Sequence, residues 1–219
     1  MGYIFKVLLV LHIIGGSIGL IAGTISIVRK KGDKLHGSIG KLFLTGMLAT
    51  GFSSLVLAII HPNYFLFIVG IFTIYMSATG QRYLRLKRLQ ECQKILAIDY
   101  VLTYGMLVAA LAFIGFGIYL VIKSQQFGAV FLVFGVLSLR MVRKDIHNYR
   151  CKDGEKNYWL IAHLQRMMGA YAASATAFVV VNNTGILPGV ITWLLPTAII
   201  LPLIVKWTKK YKVPLSAKL

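Results

Sequence analysis

Long apolar stretches alternate with short polar connections along almost the whole chain. A helix needs about 20 apolar residues to cross a hydrocarbon core of about 30 Å. Most of the stretches approach that length, and the pattern predicts an all-α, polytopic membrane helix bundle of about seven transmembrane helices, with six as the alternative. The predicted spans of this single integral membrane domain, 1–219, are 4–28, 39–60, 64–80, 98–122, 127–142, 158–181 and 187–205.

Basic residues are concentrated in every second connection and in the tail. Of the 24 Lys and Arg residues, only Lys6 and Lys123 fall on the opposite side, and Arg166 lies inside a span. Cytoplasmic loops of membrane proteins carry such an excess, so we expect the N-terminus outside, the C-terminus in the cytoplasm and the protein in the inner cell membrane as a multi-pass protein.

The composition agrees with a membrane protein and changes the interpretation of the charge. The chain is 58% hydrophobic, more than a soluble domain of 219 residues hides, and its formal net charge is +18. Because this charge is distributed over alternate loops, it predicts contact with the anionic lipids of the bilayer and argues against a nucleic-acid partner.

The first span carries glycines at four-residue intervals, Gly15, Gly19 and Gly23. Small residues at this spacing place a row of backbone on one helix face, where another helix can approach closely. The row predicts helix packing, either within the bundle or against a second copy or another membrane protein.

Several ionisable residues are expected at one depth, near the cytoplasmic ends of their helices. They are His36, Arg82, Asp99, Arg140, His163 and Arg166. Ionisable groups are costly inside a membrane, so each needs a partner or a function. One interpretation is a buried ion pair between Arg166 and Asp99, the only acidic residue expected near the membrane, surrounded by ordinary basic residues.

The other interpretation is a cofactor pocket that faces the cytoplasm. Two histidines on different helices can ligate a haem iron from opposite sides, which makes His36 and His163 the candidate metal ligands. The haem propionates are anions, and Arg82, Arg140 or Arg166 would hold them. A b-type haem at this site would serve electron transfer to or from a quinone.

Other functions fit the same residues. A basic pocket also suits a transporter or a lipid- or anion-binding protein, and the glycine face suits an accessory subunit without its own chemistry. The sequence contains no His-Glu-x-x-His motif and no Gly-rich phosphate loop, and it does not decide whether the protein is an enzyme. His12 is either a histidine bonded between helices or an outer cofactor ligand or proton-relay group.

Three short motifs resemble those of a family of predicted bacterial multi-pass membrane proteins that carry a domain of unknown function. The motifs are His12 with Gly15-Gly16, Lys-Gly-x-x-Leu-His36, and His163-x-x-Arg166-x-x-Gly169. The resemblance implies that these histidines and Arg166 belong to a shared pattern. The chain is also distantly similar to transmembrane b-type cytochromes, but it lacks two pairs of histidines at matched depths. That similarity therefore implies a single haem on the cytoplasmic side.

Overall fold

The computed structural model describes residues 2–125, 127–150, 156–186 and 188–212, and within them the only regular structure is helical. The all-α prediction is confirmed for these residues. The helices are α1 (Gly2–Val28), α2 (Lys34–Ile60), α3 (Tyr64–Tyr83), α4 (Ala97–Ile122), α5 (Gly128–Tyr149), α6 (Tyr158–Asn182) and α7 (Gly189–Tyr211), with one 3₁₀ turn at Leu89–Glu91.

Five helices in the described ranges are long and apolar enough to cross a membrane, namely α1, α2, α3, α4 and residues 191–211 of α7. The chain is thus a helical, multi-pass membrane protein. The remaining two helices are more polar, because α5 carries Arg140, Arg143 and Lys144 and α6 carries His163 and Arg166. The polar residues of α6 are explained by its position, since this helix packs against α1, α3 and α7 inside the bundle.

Helix α5 is longer than the apolar pattern predicts. The predicted span stops at residue 142, whereas the helix continues to Tyr149. Val142, Asp145 and Asn148 follow one another at helical spacing and all are buried. The charged residues between them hide this buried face in the sequence. The expectation that Asp99 is the only acidic residue near the membrane is therefore wrong.

The glycine row of α1 packs inside the chain. A β-carbon on Gly15 would lie 3.2 Å from the carbonyl oxygen of Gly46 in α2, and one on Gly46 would lie 2.7 Å from the backbone nitrogen of Gly19. Gly23 is buried next to Tyr171 of α6. The glycine row therefore packs against other helices of the same chain, which is the first of its two interpretations.

We call one side of the bundle the basic end. There α1, α3, α5 and α7 end, α2, α4 and α6 begin, and the connection 84–96 between α3 and α4 folds back beneath the helices. Leu86 and Leu89 of this connection are buried against Tyr158 of α6. The Tyr158 hydroxyl donates to the Leu86 carbonyl and accepts from the backbone N–H of Leu89. These bonds fix the connection beside the start of α6.

Candidate functional site

A cavity of about 480 Å³ lies at the basic end, between α1, α2, α6 and α7. His36 of α2 and His163 of α6 both line it, although 127 positions separate them in the sequence. The connection 84–96 adds Lys87 to the wall. The two histidines that the sequence singles out as a pair therefore share one cavity.

His163 is held in one orientation by α3. Its Nδ1 lies 2.8 Å from the carbonyl oxygen of Gly80, which can only accept a hydrogen bond. This bond assigns the ring proton to Nδ1 and leaves a lone pair on Nε2 in the neutral ring. Gly80 permits the approach, because a β-carbon there would lie 3.1 Å from the Arg166 β-carbon. His163 thus offers the cavity an oriented acceptor.

His36 is fixed by its backbone, while its ring is not committed. The carboxylate of Asp33 accepts from the His36 backbone N–H at 2.6 Å and caps α2. That bond and the neighbouring Arg29 lower the pKa of the Asp33 carboxyl. The ring Nδ1 of His36 is buried and has no hydrogen-bond partner. A ligand in the cavity would supply one.

Two lysines and two tryptophans form the mouth of the cavity. The Lys31 ammonium lies 3.6 Å from the centroid of the Trp207 ring and donates to the Ile27 carbonyl at 2.5 Å. Lys87 lies 4.5 Å from the centroid of the Trp159 ring. Burial and the charge of Lys210 lower the pKa of Lys31. Both contacts are cation–π pairs, and the mouth is basic and aromatic.

The interior of the cavity is apolar and ends at Tyr171. Gly23 and Ile27 of α1 form one wall, and the helical stretch between them corresponds to about 6 Å along the axis. The Tyr171 hydroxyl lies 2.7 Å from the Thr24 hydroxyl and joins α6 to α1. A β-carbon on Gly23 would lie 2.5 Å from the Tyr171 ring, so only glycine allows this closure. The cavity is amphipathic along its length.

Arg166 lies outside this cavity, in a sealed network. It donates to the Asp145 carboxylate and, at 2.9 Å, to the Thr79 hydroxyl. The hydroxyls of Tyr75 and Tyr83 donate to the same carboxylate at 2.6 and 2.5 Å. Arg166 is 1% exposed and Asp145 0%. The predicted pairing of Arg166 with Asp99 is wrong, because the extended α5 brings Asp145 to this position.

Asp99 instead pairs with Arg82. The guanidinium donates to both carboxylate oxygens at 2.7 Å, and the backbone N–H of Leu96 donates to one of them at 3.1 Å. Arg140 is exposed on α5. Neither Arg82, Arg140 nor Arg166 lines the cavity that holds the histidine pair. A similar depth in the membrane does not specify which side of its helix a residue occupies.

The sequence interpretation missed Lys31 and Lys87, which take the position expected of the arginines. Tryptophans beside basic loops were the available signal, since such aromatic residues mark a membrane interface.

His12 is separate from the cavity, and its Nδ1 lies 3.2 Å from the Thr50 carbonyl and 3.3 Å from the Ser53 hydroxyl of α2. It makes the interhelical hydrogen bond that one of its two interpretations requires.

Metal ligands are few among the described residues, where no group of three or more His, Cys, Asp or Glu side chains is suited to a metal ion. Among its described lining residues, the cavity brings together two histidines, His36 and His163. No protein-family model, no curated protein and no solved structure matches the chain. The family resemblance stays a prediction, and the function is argued from the cavity.

Proposed function

We propose that this protein binds an anionic amphiphile in the cavity at its basic end, and that this end faces the cytoplasm. One observation carries the proposal: a mouth formed by Lys31 and Lys87 leads into an apolar interior lined by α1 and α6. An anionic group at the lysines and an apolar part inside would match both halves of the cavity. Such binding suits a lipid-binding or transport role.

The charge balance around the cavity favours an anion. Asp33 is the only acidic side chain among the described cavity residues, and Arg29 pairs with it at 2.7 Å. The charges of Lys31 and Lys87 have no carboxylate partner among these residues. A negative group at the mouth would be attracted by both lysines, and more strongly than in water by the partly buried Lys31.

Tryptophan fluorescence provides a direct test, because two of the three tryptophans, Trp159 and Trp207, line the cavity. In a Trp193→Phe background in detergent, we expect lysophosphatidylglycerol with a brominated chain to quench the emission. Brominated lysophosphatidylcholine should quench far less. Replacing Lys31 and Lys87 together by alanine should remove the difference, and Lys123→Ala should preserve it. Equal quenching by the two lipids in the parent protein would contradict the proposal.

The orientation can be tested with Cys92, which is free and exposed at the basic end. In a Cys151→Ser background, a membrane-impermeant maleimide should label Cys92 in inverted membrane vesicles but not in intact cells. Labelling of intact cells would place the basic end outside and contradict the orientation.

Haem b is a second candidate ligand, and the histidine pair favours it. His36 and His163 line the same cavity, and His163 donates from Nδ1 to a carbonyl, as metal-ligating histidines usually do. Lys31 and Lys87, rather than the arginines, would hold the propionates. The haem would supply one-electron transfer, with its potential set by the axial histidines and by burial.

An absorption spectrum tests the haem candidate. Protein produced with haem supplied should show a Soret band and, after reduction with dithionite, a sharp α band. His163→Ala should abolish both bands, whereas His147→Ala should leave them unchanged. A featureless visible spectrum, or equal bands in the two variants, would eliminate haem ligation by this pair.

A further inference from the structure

We propose that the ligand is a phosphate-headed membrane lipid that enters the cavity sideways from the bilayer, through the gap between α1 and α7. This inference rests on the proposed function. It specifies the class of amphiphile, its source and its route.

The gap follows from the way the helices pack. Helices α1 and α7 each pack against α6, but they do not pack along one another. Ile27 of α1 and Leu203 of α7 contact the same buried cluster, which includes Leu164 and Met168 of α6. Leu164, Met168 and Ile27 also line the cavity. The apolar lining of the cavity is therefore continuous with the side chains of α6 that lie between α1 and α7.

A polar contact between described residues covers the gap at the basic end. The Lys31 ammonium crosses from the end of α1 to the Trp207 ring of α7. This contact is non-covalent, and the ammonium that makes it is also a phosphate-binding group. A head group that draws Lys31 away from Trp207 would open the closure as it binds, so entry and recognition share one residue.

The inner closure directs the chain of the lipid outward. The Thr24–Tyr171 hydrogen bond and the close contact at Gly23 block a straight path along α1. A chain longer than the cavity must leave it sideways, between α1 and α7, past Ile27 and Leu203. This arrangement suits a ligand whose chain stays partly in the bilayer.

A phosphate fits the donors at the mouth. Lys31, His36 and Lys87 come from three separate elements and line one cavity. A phosphate group has several acceptor oxygens pointing in different directions, so it can bond donors that arrive from different sides. Its charge is also balanced by the two lysines, whereas a zwitterionic choline head group would bring a cation against them.

The experiment uses the full chain in phosphatidylcholine nanodiscs that contain phosphatidic acid with a diazirine in its acyl chain. After photolysis, peptide mapping should place the label on α1 around Ile27 and on α7 around Leu203. Excess unlabelled phosphatidic acid should remove this label. Ile27→Trp, which fills the gap, should reduce the labelling of α7 at least fivefold. Ile21→Trp, at an exposed position, is the matched control and should leave it unchanged.

The outcomes separate the route from the proposed function. If lysophosphatidylglycerol binds in detergent but the label is spread over all exposed helix faces without competition, lateral entry is wrong and the binding proposal stands. If lysophosphatidylglycerol does not bind to the parent protein, the proposed function itself fails. Leu203→Trp fills the same gap from α7 and replaces Ile27→Trp if that variant does not fold. Unchanged labelling in the folded gap variant would overturn the route.

Discussion

His163 and Arg166 lie one turn apart on α6, yet they belong to two different kinds of polar site. His163 is bonded on one nitrogen to Gly80 and lines an open cavity. Arg166 is buried among Asp145, Thr79 and two tyrosine hydroxyls. Among the described residues, the cavity leaves two lysines without a carboxylate partner and a histidine nitrogen without a hydrogen bond, whereas in the network the carboxylate accepts from Arg166 and two tyrosines.

This difference separates a structural role from a binding role. A buried charge that is paired with an opposite charge of the chain joins helices, here α3, α5 and α6. Charges that lack such partners at the rim of an apolar cavity favour a ligand. Substitutions in the network should therefore change stability and leave the ligand specificity intact, and substitutions at the cavity should do the reverse.

The largest effect is expected from Arg166→Leu. The variant leaves the buried Asp145 carboxylate without its cation, which costs about 3–5 kcal/mol. Thermal and denaturant unfolding in detergent would measure the loss. Arg140→Leu, at an exposed position on α5, should change the stability by less than about 0.5 kcal/mol. Equal stability of the two variants would show that the network does not hold the bundle together.

Tyr83→Phe should have an intermediate effect. It removes the hydroxyl that donates to Asp145 at 2.5 Å and accepts from the Asn148 amide at 3.0 Å. The cost of leaving buried polar groups without partners is about 1–3 kcal/mol. Tyr104→Phe, at an exposed tyrosine of α4, is the control. If Tyr83→Phe also altered the preference for anionic over zwitterionic amphiphiles, the separation of the two sites would be wrong.

Lys31→Ala and Lys87→Ala should show the opposite pattern. Each removes a charge at the mouth, so the affinity for an anionic amphiphile should fall about tenfold, which corresponds to about 1.4 kcal/mol. The unfolding free energy should change by less than about 1 kcal/mol. Binding titrations and unfolding curves on the same samples would check both parts. Affinity unchanged from that of Lys123→Ala would contradict the role of the lysines.

The smallest effect is a pH dependence. Burial and Lys210 lower the pKa of Lys31, so this lysine loses its proton at a lower pH than the ordinary value of about 10.4. The bound anion favours the charged form, and affinity should therefore decline as pH rises through this lowered pKa. Lys31→Arg keeps its charge and should shift the decline to higher pH. Superimposed profiles for lysine and arginine would argue against Lys31 as a head-group contact.

The sequence predicted the architecture well because apolar length and the charge of the connections are local signals. The helix type and the placement of His36 and His163 at one end both follow from residues close in the chain. The wrong partner for Arg166 has a non-local cause. Asp145 lies between charged residues that resemble a loop, and only packing against α3 and α6 shows that its side of α5 is buried.

The roles of the basic residues also depended on packing. Arg82, Arg140 and Arg166 lie at the expected end of the bundle, but their helices turn them away from the cavity. Lys31 and Lys87 line it because a loop and the connection 84–96 fold over its mouth. Hydropathy gives the depth of a residue, whereas the direction of its side chain depends on which helices become neighbours.

Native mass spectrometry of the protein released from nanodiscs of phosphatidylcholine and phosphatidic acid tests the central claim most directly, because the mass identifies a bound lipid or haem. We predict one retained anionic amphiphile on the parent protein and on Arg140→Leu, and its loss from the variant with Lys31 and Lys87 both replaced by alanine. The same adducts on all three proteins, or an excess of phosphatidylcholine on the parent, would contradict the account.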